Sequence, residues 1–287
     1  MTTKIEWTNE TWNPIVGCSK VSEGCRNCYA ERMAKRLKAI GKPQYQNVVD
    51  EKGWTGKTVM PPSIKNPMHT MKKPRMIFVC SMSDLFHETV EESWIDAVMM
   101  TIGIAKQHTY QILTKRPVRM FQYFSSRTVP DNVWLGVTAE NQAAADERIP
   151  HLLTIPAKVR FVSVEPMLGP VDVWQWLGGD RDIKGDHHYN HGLDWIIVGG
   201  ESGPNARPMH PDWARGLRDQ CQAAGVSYFF KQWGEWLPSR YPWYSDDGID
   251  PKGGHTFDDG TQMVRVGKKA AGHLLDGVEW RQMPEVN

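Results

Sequence analysis

Between residues 76 and 232 the chain repeats one pattern: a short apolar run ending in polar residues, then a stretch with helical spacing. The runs are 76–80, 110–113, 133–137, 159–164, 195–198 and 226–230. Uninterrupted apolar runs of this length read as strands buried on both faces, as in parallel sheets. Helical stretches are expected over 90–106, 118–124, from Asn141 to about Leu153, and from Pro211 to a stop at Gly225. Thr89-x-x-Glu92 is a capping-box signature for the first of these. A shorter helical stretch is expected over 171–177. Strands alternating with helices specify an α/β fold with a parallel sheet. Counting the apolar pair Ile15-Val16 near the start, there are about seven strands, which fits a partial or near-complete parallel (β/α) barrel. Residues 42–75 read as an irregular surface insertion and 178–193 as a polar one, both breaking the rhythm, which stops after Trp233. The expected organisation is a barrel over 1–233 and a small irregular or β cap over 234–287. The cap carries hairpin-type Asp-Gly pairs at 259–260 and 276–277.

The chemistry concentrates first in Trp12-Asn-Pro-Ile-Val-Gly-Cys18-Ser-Lys-Val-Ser-Glu-Gly-Cys25-Arg-Asn-Cys28. Three of the five cysteines lie there, spaced C-x6-C-x2-C, with a helical run from Ala30 to Ile40 after them and Gly41 at its expected stop. Four readings stand: a disulfide with a spare thiol, a zinc site with a distant fourth ligand, inert buried cysteines, and a three-cysteine iron–sulfur site. Their place after the first strand of a β/α series favours the last. Three thiolates on a [4Fe-4S] cluster leave one iron open to a small molecule. Cys80 ends the second strand and is a candidate hydrogen donor or a small buried hydrophobe; Cys221 falls on a helix and reads as structural. His187, His188 and His191 sit in a Gly/Asp-rich stretch and read as solvated.

In a parallel barrel the site lies at the C-terminal strand ends. The side chains there are Ser81, Ser83 and Asp84; Thr114, Lys115 and Arg116; Thr138, Glu140 and Asn141; Glu165; Glu201 with Arg207; and Lys231 with Gln232. Carboxylates with lysine and arginine suit a zwitterionic ligand carrying a ribose. Net charge is +1, so bulk charge selects no partner. The stretch from Lys52 to Arg75, however, holds six Lys or Arg and no Asp or Glu. Trp54, Lys65, Lys72, Lys73 and Arg75 are candidate nucleic-acid contacts, against an ordinary solvated loop. No apolar stretch reaches transmembrane length and no signal peptide is evident, so a cytoplasmic protein is expected.

Strand, three-cysteine loop, helix and β/α series together resemble the radical S-adenosylmethionine superfamily. The segments are more closely similar to a phage- and prophage-associated family of radical-SAM-like proteins. They are Trp12-Asn-Pro-Ile-x-Gly-Cys18, Cys25-x-x-Cys28-Tyr-Ala, Ser81-Met-Ser-Asp84-Leu-Phe-His87, Leu113-Thr-Lys-Arg-Pro117, Leu135-Gly-Val-Thr138, Ser163-x-Glu165-Pro, Gly199-Gly-Glu201-Ser-Gly and Lys231-Gln-Trp-Gly234. The cysteine loop is longer than the superfamily's common C-x3-C-x2-C, and Ser81-Met-Ser-Asp84 stands where Gly-Gly-Glu is usual. Thr114-Lys115 resembles the strand-end pair of spore photoproduct lyase, which repairs DNA. The resemblance implies that Cys18, Cys25 and Cys28 ligate three irons of a [4Fe-4S] cluster. It implies that the fourth iron binds S-adenosylmethionine, and that an external electron donor drives its cleavage to a 5′-deoxyadenosyl radical. Ser81, Asp84 and Lys115 would then serve the methionyl part and Thr138, Glu140 and Asn141 the ribose. Glu165, Glu201 and Arg207 would serve cofactor or substrate, and Cys80 and Lys231 are candidates for the chemical step. The substrate class so implied is nucleic acid or a nucleotide. The alternative is a non-catalytic iron–sulfur or zinc protein that binds nucleic acid or a partner protein.

Overall fold

The structure is a computed structural model, and it describes residues 3, 5–62, 72–178, 192–239 and 253–285. Lys65, the three histidines at 187, 188 and 191, and most of the second insertion lie outside the described residues. The chain divides into two compact units, residues 1–138 with 147–161 and residues 139–146 with 162–285.

All six expected runs from residue 76 onward are strands. With a strand near the start they are β1 (Glu10–Trp12), β2 (Met76–Val79), β3 (Thr109–Thr114), β4 (Val133–Thr138), β5 (Val159–Val164), β6 (Trp195–Gly199) and β7 (Ser227–Gln232). They form a seven-stranded sheet in chain order. The pairs β1–β2, β2–β3, β3–β4 and β6–β7 are parallel. Parallel neighbours require crossovers, and the helices supply them: α1 (Tyr29–Ala39), α2 (Glu92–Ile104), α3 (Pro117–Phe124), α4 (Gln142–Leu153) and α5 (Pro211–Ala224).

In the first unit, Ile77, Val79, Tyr110, Ile112, Val133, Leu135 and Val137 are buried, with Ile95, Val98 and Ile102 of α2 also buried. Gly136 is needed within β4, because a Cβ there would come within 2.6 Å of the Phe161 ring. Three expectations need correction. The first strand is Glu10–Trp12, not Ile15-Val16. Pro14 has no N–H to give a ladder and separates the two. Val16 and Gly17 instead make single bridges, to Val59 and Ser83. The Thr89 capping box does not form, because the Thr89 hydroxyl bonds Thr58 Oγ1 at 2.9 Å and His87 Nδ1 at 3.0 Å. The residue before α2 is Glu91, and no side chain caps the helix there. Finally, the described part of the 42–75 insertion is built rather than irregular. A turn at Pro43–Tyr45 and a two-stranded hairpin, Val49–Asp50 with Gly53–Trp54, bury Tyr45, Val48 and Val49 against Ala30, Ala34, Val16 and Met82. Each such aliphatic side chain contributes roughly 1.5–3 kcal/mol, so this small core anchors the chain on both sides of the cysteines.

In the second unit, α5 is capped by His210. Its Nδ1 accepts from the Asp212 N–H at 3.1 Å while Nε2 lies 3.0 Å from Asp259 Oδ2. Gly225 ends that helix at φ +70°, as the sequence predicts. Of the expected helix over 171–177 only a single 3-10 turn, Trp174–Trp176, is present. The tail supplies a three-stranded antiparallel sheet (Trp236–Pro238, Gly254–Thr256, Gln262–Arg265) and a hairpin, Leu274–Leu275 with Val278–Glu279. The hairpin turns on Asp276 and Gly277, both with positive φ, as its Asp-Gly pair predicts. Residues 280–282 then pair with β7: Phe230 donates to Trp280 O at 2.8 Å and Gln282 donates to Tyr228 O at 3.1 Å. This covers an edge that would otherwise expose unpaired backbone groups. Among the described residues, no helix is long and apolar enough to cross a membrane.

Candidate metal centre

The cysteine loop starts at Gly17, whose φ of +98° and close neighbours exclude a side chain; a Cβ would lie 2.2 Å from the Lys57 carbonyl oxygen. Gly17 is held from both of its backbone groups. Its N–H donates to Met82 O at 3.2 Å, and its carbonyl accepts from Ser83 Oγ at 2.7 Å. Asn13 Oδ1 accepts from Ser81 Oγ at 3.1 Å and from the Met82 N–H at 3.0 Å. The Ser81-Met-Ser-Asp84 segment after β2 is therefore the seat on which the loop rests. Ser81 and Ser83 use their hydroxyls for that seating.

Cys18, Cys25 and Cys28 are all half-buried, and none is in a disulfide. Cys25 ends a 3-10 turn, Glu23–Cys25, and Cys28 directly precedes the first turn of α1. The N-terminal end of a helix favours negative charge beside it, and here that end lies at Cys28. Burial pushes the Cys18 thiol up to about 12, and the Asp84 carboxylate adds to the shift against the opposing Arg116. Without a metal, Cys18 is thus a neutral thiol at pH 7, and a metal that binds it must displace the proton. Cys80 is buried in the left-handed region at φ +61°, with its N–H donating to Trp12 O at 2.8 Å. Burial raises its thiol far above the ordinary range.

The donor set bears on which metal group fits. Zinc holds thiolates at about 2.3 Å, which sets their sulfurs about 3.8 Å apart. Among the described residues, no three His, Cys, Asp or Glu side chains stand close enough to hold a metal ion. Ligands of an iron–sulfur cube bind different irons and stand wider apart. Cys18, Cys25 and Cys28 are three free, half-buried thiols on one seated loop, and thiolate is a ligand that both zinc and iron–sulfur clusters take.

Around the loop lies a dense polar network. Asp84, 6% exposed, has both oxygens engaged. Oδ1 accepts from Thr114 Oγ1 at 2.7 Å and the Phe86 N–H at 3.0 Å; Oδ2 accepts from the Lys115 N–H at 3.0 Å and Arg116 Nη1 at 3.0 Å. Arg116 continues to Glu88 Oε1 at 2.8 Å and Ser19 Oγ at 2.8 Å. Ser19 Oγ also meets His87 Nε2 at 2.9 Å, while His87 Nδ1 accepts the Thr89 N–H at 3.2 Å. The latter bond assigns the proton of the neutral ring to Nε2. Burial and then the Arg116 charge lower the affinity of His87 for a second proton. Lys115 is different. It is half-buried at the end of β3, and its ammonium has no partner among the described residues.

The remaining strand-end residues make contacts within their own units. Thr138 is buried at the end of β4, and its carbonyl accepts from Arg148 Nη1 at 2.8 Å. Glu140 is buried. Asn141 Oδ1 accepts the Ala144 N–H at 3.0 Å and so serves the start of α4. Glu165 pairs with Lys231 at 3.0 Å. Buried Glu201 binds Arg207 bidentately, at 2.7 Å to Nη2 and 2.9 Å to Nε. Of the candidate nucleic-acid contacts, Lys72, Lys73 and Arg75 are exposed, whereas Trp54 packs half-buried against the insertion's small core. Ser19 and Glu88 are site residues that the sequence does not single out; His87 enters there only as the end of a motif segment, and Arg116 only as one strand-end cation among several. Nothing in a sequence tells a buried, forked arginine from a solvated one.

The chain belongs to the DUF5131 family, described as a protein of unknown function, whose model matches residues 2–284. No curated protein and no solved structure matches the chain.

Proposed function

We propose that this member of the DUF5131 family is an iron–sulfur protein of the radical S-adenosylmethionine type, built on a partial (β/α) barrel. The observation that carries the reading is the seated loop of three free, half-buried thiols at the C-terminal ends of β1 and β2, the rim where parallel strands place their chemistry. Cys18, Cys25 and Cys28 hold the group. A [4Fe-4S] cluster held there would supply the electron that splits S-adenosylmethionine into methionine and a 5′-deoxyadenosyl radical. The chain's own part is to hold and orient. Asp84 and Arg116 fix the loop, and the Lys115 ammonium, at the end of β3 and without a partner among the described residues, is available to the methionyl carboxylate. The electron comes from an external donor.

The test is anaerobic. Protein reconstituted with iron and sulfide, then reduced, is incubated with S-adenosylmethionine, and 5′-deoxyadenosine is measured. The parent should form it. Lys115→Ala should keep its iron and bind S-adenosylmethionine more weakly. Loaded, reduced parent that forms none would replace the reading with a non-catalytic iron–sulfur protein.

The substrate class proposed is nucleic acid or a nucleotide, supported by the acid-free basic stretch and its exposed Lys72, Lys73 and Arg75. Binding of DNA or RNA should be weak and fall steeply with salt. Neutralising those three residues together should flatten the logarithmic salt slope by about one unit for each phosphate that is no longer neutralised. An unchanged slope, or no binding by the parent at low salt, would remove nucleic acid from the account.

A further inference from the structure

Arg116 is 7% exposed and sits where three segments meet. Its Nε donates to Glu88 Oε1 at 2.8 Å, and Nη1 donates to Asp84 Oδ2 at 3.0 Å. Nη2 donates to Ser19 Oγ at 2.8 Å and to the Ser19 carbonyl at 3.3 Å. Nη1 also lies 3.9 Å from Cys18 Sγ. The residue is the N-cap position just before α3, and Pro117 fixes the backbone just after it. A lysine offers a single compact ammonium and cannot reach these separate acceptors from one plane. Its hydrogen bonds join the cysteine loop to both acidic side chains.

We propose that Arg116 is a positioning residue that fixes the cysteine loop and, through the N–H beside Cys18 Sγ, raises the reduction potential of the cluster the loop holds. The inference rests on the iron–sulfur reading above. An electron added to the cluster increases negative charge at its thiolates. A guanidinium 3.9 Å from one of them opposes that charge, and hydrogen bonds to sulfur are among the groups that set such potentials. Asp84 and Glu88 are both acidic, so removing the arginine charge leaves two carboxylates near the loop without their cation.

The experiment compares the parent with Arg116→Lys, Arg116→Gln and Ser19→Ala. Hydrogen exchange of the metal-free proteins reports on residues 17–22, and redox titration reports the midpoint potential after anaerobic reconstitution. Exchange in the loop should be faster in all three variants. The midpoint potential should drop in Arg116→Gln, drop less in Arg116→Lys, and stay near the parent value in Ser19→Ala, which loosens the loop while keeping the charge. If Arg116→Gln does not fold, the drop in Arg116→Lys carries the test. Potentials equal to the parent's in the arginine variants that load iron would overturn the inference and leave the iron–sulfur reading standing. A parent that takes up no iron and sulfide would overturn both.

Discussion

Replacing Asp84 with alanine should destabilise the metal-free protein by roughly 3–5 kcal/mol, the usual cost of breaking a buried ion pair from one side. The carboxylate accepts four hydrogen bonds, from Phe86, Thr114, Lys115 and Arg116. Alanine leaves the buried Arg116 guanidinium without one of its two carboxylates and leaves two backbone N–H groups without their acceptor. The Asp84→Asn variant, which keeps an acceptor for Thr114 and Phe86, should cost less. Urea unfolding followed by tryptophan fluorescence gives the difference. A cost below about 1 kcal/mol, the range of exposed pairs, would mean that Asp84 does not hold the network together.

The second large effect concerns the thiols. Cys18→Ala, Cys25→Ala and Cys28→Ala should each abolish stable cluster uptake, since each removes one of only three protein ligands in the proposed site. Cys221→Ala should load like the parent. Cys221 is buried on α5 in the other compact unit, and burial raises its thiol to about 12, so it is an inert side chain of the helix. The readouts are iron per chain and the visible absorption of the reconstituted protein. Full loading of Cys25→Ala would show that Cys25 is not a ligand.

What is legible in the sequence follows from periodicity. The six strands after residue 76 and the helices after them come from apolar runs and breaks that local chemistry dictates, and the Gly225 and Asp276-Gly277 signals mark a helix end and a hairpin directly. The first strand is not where its apolar residues point, because Ile15-Val16 is more apolar than Glu10-Thr-Trp12, yet Pro14 denies the ladder its N–H. The capping box fails because Thr89 meets tertiary partners, Thr58 and His87, that no local rule contains. The insertion looks irregular in sequence because its core is made with distant residues, Ala30, Ala34 and Met82. At the site, the cysteines and the strand ends are visible, but the division of labour is not. A carboxylate that binds a ligand and one that anchors a loop have the same letter, and only Asp84's four bonds separate them. Arg116 is the converse case: a strand-end residue in Thr114-Lys-Arg-Pro117 with no evident role joins the whole network, while its neighbour Lys115 has no partner for its ammonium among the described residues.

Whether Cys18, Cys25 and Cys28 hold a [4Fe-4S] cluster is decided by counting metal and sulfide after anaerobic reconstitution and desalting. The expected result is about four irons and about four sulfides per chain, with brown colour that fades on exposure to air. One zinc per chain with no colour and no sulfide would contradict it and make the loop a structural metal site.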